Sequence, residues 1–200
     1  MADCIRAEIH ARLLDGGLLE RVYLRKEPAP YRGANTTEAS LPIYCSPKWM
    51  ERKLDRVVVV VQDHYDDWLL WSRNTIKAES GIEAGSAIGL AKALKEQSGD
   101  VGLIVLNPCE LLYSYDEHKA MSRRNWEIRT GRSFVHPPRK LTDWNEIDGH
   151  ETPEKHIQSV FEDVIARNNP HMKIDLIGIN GGCETILLFL NDNCKYCTHC

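Results

Sequence analysis

The chain has 200 residues, 42% apolar and 27% charged, with a net charge of -4 and seven cysteines. That length suffices for one domain with a real core, and the slightly acidic balance argues against a protein that coats nucleic acid with its whole surface while leaving room for a local basic patch. No apolar run approaches the roughly 20 residues a membrane helix needs, so no membrane-spanning helix is expected. The N-terminus mixes charges into its apolar residues and reads as neither signal nor transit peptide, so a nuclear or cytosolic location is expected, not secretion. Without a secretory signal, the odd cysteine count argues against a disulfide framework.

In chain order, the first 17 residues suit one helix, stopped by Gly16-Gly17. "LLERVYLR" follows as a candidate strand. Residues 28–47 carry four prolines and read as a loop or extended arm. Ser46-Pro47 has the form of an N-cap and first residue for a short helix, "KWMERKL". "RVVVVV" (Arg56 to Val61) leaves no polar face, the pattern of an interior parallel strand. "VGLIVLNP" (Val101 to Pro108) and "IDLIGI" (Ile174 to Ile179) repeat it. Between them, "GIEAGSAIGLAKALKEQSGD" and "TPEKHIQSVFEDVIARNN" read as helices. In the second, Thr152 caps, Pro153 takes the first position, and Ile157, Val160, Phe161, Val164 and Ile165 form one stripe.

This alternation predicts an α/β fold: a parallel-rich central sheet with helices on both faces. Its working surface lies at the carboxyl ends of the strands. Three loops emerge there, at 62–74, at 107–118 and at Asn180. The expected organisation is an N-terminal helix, strand and arm (1–54), the α/β unit (55–190) and a cysteine-rich tail (191–200).

"WSRNTIKAESGIEAGSAI", "VGLIVLNP" and "IDLIGINGGC", in that order and spacing, resemble the argonaute-binding-protein (Arb-type) domain family of fungi. The same domain type occurs at the C-terminus of some fungal class II histone deacetylases and in an animal family linked to splicing and silencing. The resemblance implies an α/β-hydrolase-like fold and an interaction role in a chromatin or small-RNA silencing assembly. In that fold a G-x-S-x-G turn between strand and helix holds a nucleophilic serine. Here the turn is Gly178-Ile179-Asn180-Gly181-Gly182, so an amide stands where the hydroxyl belongs. Asparagine cannot serve as a nucleophile near neutral pH, yet it tolerates the left-handed backbone of an elbow. The family's histidine-glycine turn after the first strand is replaced by Gln62-Asp63-His64-Tyr65-Asp66, a poor oxyanion holder. A triad's acid and histidine follow the nucleophile in chain order, and only 20 residues follow Asn180. The chain therefore reads as an α/β-hydrolase lacking its last third, with no catalytic residue and no cofactor. The alternative is an esterase or amidase fragment whose missing parts lie elsewhere.

Three further constellations stand beside this one. His64 and Asp63 cluster with Asp66 and Asp67 after the first core strand; with Asn107 they are the expected binding residues around the elbow. Residues 119–140 carry seven Lys or Arg against one Glu, including Arg123, Arg124, Arg129 and Arg132, interleaved with Trp126 and Phe134. Such a segment suits single-stranded RNA or an acidic protein partner, or a solvated loop. Cys194, Cys197 and Cys200 form a weak candidate metal knuckle without a second pair. His118, His136, His150, His156 and His171 have no partner at ligand spacing and read as surface histidines.

Overall fold

The computed structural model describes residues 2–25, 39–49, 51, 54–65, 67–77, 79, 81–97, 101–130 and 141–193. In chain order the strands are β1 (Glu20–Leu24), β2 (Leu41–Cys45), β3 (Arg56–Val61), β4 (Val101–Val105), β5 (Leu112–Ser114), β6 (Lys119–Met121) and β7 (Lys173–Gly178). Five of them form one sheet in the order β1-β2-β4-β3-β7, and β5 and β6 pair as a separate hairpin. The valine strand β3 runs parallel to β4 on one side and to β7 on the other. Both of its edges and both of its faces are therefore used, as a strand without a polar face demands. The sheet is parallel only in this half. β2 runs antiparallel to β4, and β1 antiparallel to β2, so the whole is mixed.

The mixed half comes from the segment expected to be an arm. β2 lies within it, and Leu41, Ile43, Tyr44 and Cys45 are fully buried. Pro42 is tolerated because the ladder to β4 engages only Tyr44 and Cys45, so its missing N–H costs no bond there. Ser46 does not cap a helix. Its N–H donates to the Leu103 carbonyl at 2.9 Å and its hydroxyl accepts from the Leu103 N–H at 2.7 Å, which prolongs the β2–β4 contact. Residues 47–49 then form turns, with Lys48 at a φ of 59°.

Alternate residues of β3 feed two cores. Val57, Val59 and Val61 pack with Ile157, Val160, Phe161, Val164 and Ile165 on one face. Val58 and Val60 pack with Ile9, Leu13, Ile88 and Ala91 on the other. The helices behind these residues are α1 (Ala2–Asp15), α2 (Arg73–Lys77), α3 (Gly81–Ala84), α4 (Ala87–Glu96), α5 (Arg123–Thr130), α6 (Pro153–Ser159), α7 (Ala166–Asn168) and α8 (Gly182–Asp192). A π-helical turn, Val160–Ile165, joins α6 to α7. The Thr152 hydroxyl accepts from the Lys155 N–H and Pro153 opens α6, as the sequence foretells. The helix expected from Gly81 onward is instead broken into α3 and α4. The Gly85 carbonyl accepts from the N–H groups of Trp71 and Ser72, and Ser86, in extended conformation, caps α4 anew. Among the described residues no helix is long and apolar enough to cross a membrane.

Candidate functional site at the carboxyl edge of the sheet

β7 delivers the chain to Asn180 at the carboxyl edge, and α8 leaves from it. Asn180 has a φ of 53°, in the left-handed region. The flanking glycines are dictated by close approach. A Cβ on Gly178 would lie 2.6 Å from the Cys183 Cα, and one on Gly182 would lie 2.1 Å from the Val61 carbonyl oxygen. A strand, a left-handed turn and a helix thus meet at a residue that carries an amide.

Asp63 ties the three carboxyl-edge loops together. One carboxylate oxygen accepts from the Gly181 N–H at 3.3 Å and the other from the Tyr65 N–H at 2.9 Å. Its own carbonyl accepts from the Cys109 thiol at 3.1 Å. The Gly181 amide follows the elbow residue at the start of α8, where aligned peptide dipoles favour a negative charge. The carboxylate from the first loop fills that position. His64 Nδ1 lies 3.7 Å from Asp63, its ring tilted 42° against that of Tyr65 with 3.8 Å between centroids, and Tyr65 is 79% exposed. Gln62 is buried and braces the loop: its amide donates to the Asp67 carbonyl and its carbonyl accepts from the Leu69 N–H.

Asn107 lies two residues past the end of β4, fully buried. Its side-chain amide donates to Glu110 at 3.1 Å, and its backbone N–H donates to His156 Nε2 at 3.1 Å. Because Nε2 accepts, neutral His156 carries its proton on Nδ1. That atom lies 3.0 Å from His150 Nδ1 and donates to it. His150 and His156 are therefore a buried, bonded pair and not the surface histidines the sequence suggests. Burial holds His150 down to about 4; burial and then the neighbouring imidazole hold His156 well below its ordinary value. Burial likewise pushes the Glu110 carboxyl up, against the pull of Asn107 and of Arg6, Lys119 and Arg21. Sequence reasoning missed Glu110 and both histidines. The one available signal was that His156 falls in the first turns of α6, next to the buried stripe.

The remaining expected residues lie apart from this cluster. Arg123 and Arg124 are exposed at the start of α5, with Arg123 3.7 Å from Glu127. Trp126 is buried, so its ring offers no platform for a base. The Arg129 side chain, Arg132, Phe134, Asp66 and the tail with Cys194, Cys197 and Cys200 lie outside the described residues. Among the described residues no three His, Cys, Asp or Glu side chains gather as a metal site.

No curated protein and no solved structure matches the chain. The profile of the Arb2 domain matches residues 1–199, so the match takes in the N-terminal segment as well as the α/β unit. The chain belongs to the Arb2 domain family.

Proposed function

We propose that the chain is a non-catalytic module with an α/β-hydrolase-like frame, which binds a protein partner in an argonaute- or histone-deacetylase-linked silencing assembly. Membership of the Arb2 domain family supports the argonaute-related role. The observation that carries the non-catalytic reading is the Asp63 carboxylate on the Gly181 N–H. In a hydrolase the amide after the nucleophile holds the oxyanion. Here that donor is occupied by a fixed negative charge, which repels the charge that must develop in an acyl transfer. Asn180 adds the second lesion, since it offers no nucleophile. What remains at the carboxyl edge is a rigid rim of Asp63, His64, Tyr65 and the elbow, suited to contact and not to turnover.

Two experiments test this reading. The purified chain is incubated with activated esters beside an Asn180→Ala variant; equal, background rates are expected, and turnover that the variant abolishes overturns the proposal. A purified argonaute protein and a class II histone deacetylase are then titrated with the chain and with a His64→Ala/Tyr65→Ala variant. Binding to one of them, weakened about tenfold in the variant, is expected for loss of an exposed aromatic contact.

The exposed guanidinium groups of Arg123 and Arg124 favour a second reading, in which residues 119–140 hold an acidic partner surface. Buried Trp126 disfavours RNA stacked on this segment. Changing Arg123, Arg124, Arg129 and Arg132 to alanine removes a salt-sensitive interaction if this reading is right and leaves affinity unchanged if it is wrong.

A further inference from the structure

Away from the elbow, a cavity of about 230 Å³ opens between α1, the β1–β2 hairpin, the segment after β4 and the β5–β6 hairpin. Its wall includes Arg6 and His10 from α1, Arg21 from β1, Glu110, Lys119 from β6 and Asn125 from α5. Arg21 is its fixed point. It stands opposite Tyr44 in the β1–β2 register, with its guanidinium carbon 5.6 Å from the centre of the Tyr44 ring. Nη2 donates to the Tyr44 hydroxyl at 2.9 Å, and that hydroxyl in turn donates to His10 Nδ1 at 2.6 Å. Nη1 reaches the Tyr23 hydroxyl at 3.4 Å. Burial, then Arg21 and Arg6, hold His10 down to about 4, so this partner too is uncharged near neutrality.

A guanidinium taken from water is costly unless an opposite charge and hydrogen bonds replace the solvent. Arg21 spends its hydrogen bonds on uncharged groups, and its Nε is buried with no acceptor among the described residues. The wall's carboxylate, Glu110, is engaged by Asn107 at 3.1 Å and lies 3.6 Å from Arg6. Arg6 takes the near side of this carboxylate, so among the described residues Arg21 has no carboxylate at ion-pair distance. Lys119 stands at the rim, half exposed and paired with Glu117 at 2.9 Å.

We propose that this cavity binds a phosphate group, either free or as the monoester of a small molecule. A phosphate group is anionic near neutral pH and supplies the negative charge that Arg21 lacks among the described residues. Its oxygens suit a guanidinium held rigid by neighbouring hydroxyls, because little side-chain freedom is then lost on binding. A water occupies about 30 Å³ of liquid, so a cavity of about 230 Å³ has room for several atoms besides the phosphate. Trp68, Pro42 and Met121 supply apolar wall for them. This site shares Glu110 with the carboxyl-edge cluster but neither Asp63 nor Asn180, and its test does not depend on any silencing partner.

Calorimetric titration of the full chain with inorganic phosphate, phenyl phosphate and malonate, at matched ionic strength, decides the matter. Saturable binding of phosphate or phenyl phosphate is expected, with malonate at least about tenfold weaker. Tighter binding of phenyl phosphate assigns the site to a monoester; equal affinities assign it to the free ion. Arg21→Gln is expected to weaken binding at least about tenfold, the scale of one charge-assisted hydrogen bond. Lys119→Gln weakens it less, and Arg167→Gln, on the far helix α7, leaves it unchanged. No saturable binding by about 20 mM, equal affinity for malonate, or unaltered affinity in a folded Arg21→Gln variant overturns the proposal. Should Arg21→Gln fail to fold by circular dichroism, Arg6→Gln replaces it, and unaltered affinity there overturns it equally.

Discussion

Asparagine pays little for a left-handed backbone such as that of Asn180 because a short polar side chain can bond locally, whereas a β-branched residue crowds the following carbonyl. Asn180→Val is therefore expected to lose about 1–2 kcal/mol of stability, and Asn180→Gly to stay within a few tenths of a kcal/mol of the parent; urea denaturation reads both. Gly182→Ala is the harsher change. Its Cβ would meet the Val61 carbonyl oxygen at 2.1 Å, which is backbone and cannot swing aside. A loss of about 1–3 kcal/mol or more is expected from such overpacking. Asn180→Ser restores a hydroxyl but leaves Asp63 on the neighbouring amide, so no esterase activity is expected from it; measurable turnover in this single variant would show that the carboxylate yields. The left-handed turn at Asn180 was legible in the sequence because glycine spacing reports backbone crowding directly. The Asp63 bond was not, since its partners are 118 residues apart.

The helix that carries His156 shows what element-scale patterns do and do not disclose. Its cap, first-position proline and apolar stripe are local features, and the sequence states them. Its role as a prop for β4 depends on a loop meeting a helix from the side, where a histidine accepts from the Asn107 N–H once the ladder has ended. The same limit explains β2. Proline argues against a strand, but burial of Leu41, Ile43 and Tyr44 overrides that local preference where the β4 ladder does not need the missing N–H. The His150–His156 pair carries a pH dependence of definite sign. Both pKa values lie below the ordinary 6.5, so the unfolded chain binds the extra protons. Stability from the pair is complete above pH 6.5 and declines as pH falls through the window down to about 4. Denaturant midpoints measured from pH 7.5 to 4.5 are expected to fall across this range, and a His156→Gln variant, destabilised at neutral pH, is expected to show a shallower decline.

At the scale of the molecule, the parallel half of the sheet was legible and the antiparallel half was not. The valine run and its two counterparts declare themselves by having no polar face. β1 and β2 join them only through pairings between distant segments. Those pairings also bind the N-terminal segment into the sheet, so a chain beginning at Asp55 exposes the open edge of β4 and is expected to aggregate or to lack a cooperative melting transition. Size-exclusion chromatography and thermal melts of that shortened chain check this.

The central position of β3 reaches beyond the finished structure. Its partner on one side, β7, follows so late that Arg56 and Asp175 are 119 residues apart in sequence. A ribosome adding roughly 5–20 residues per second needs on the order of ten seconds to cover that distance. Through that interval five consecutive valines are out in the cell without the neighbour that completes them. The order in which the strands are synthesised thus makes the nascent chain, and not the folded product, the form most in need of a chaperone.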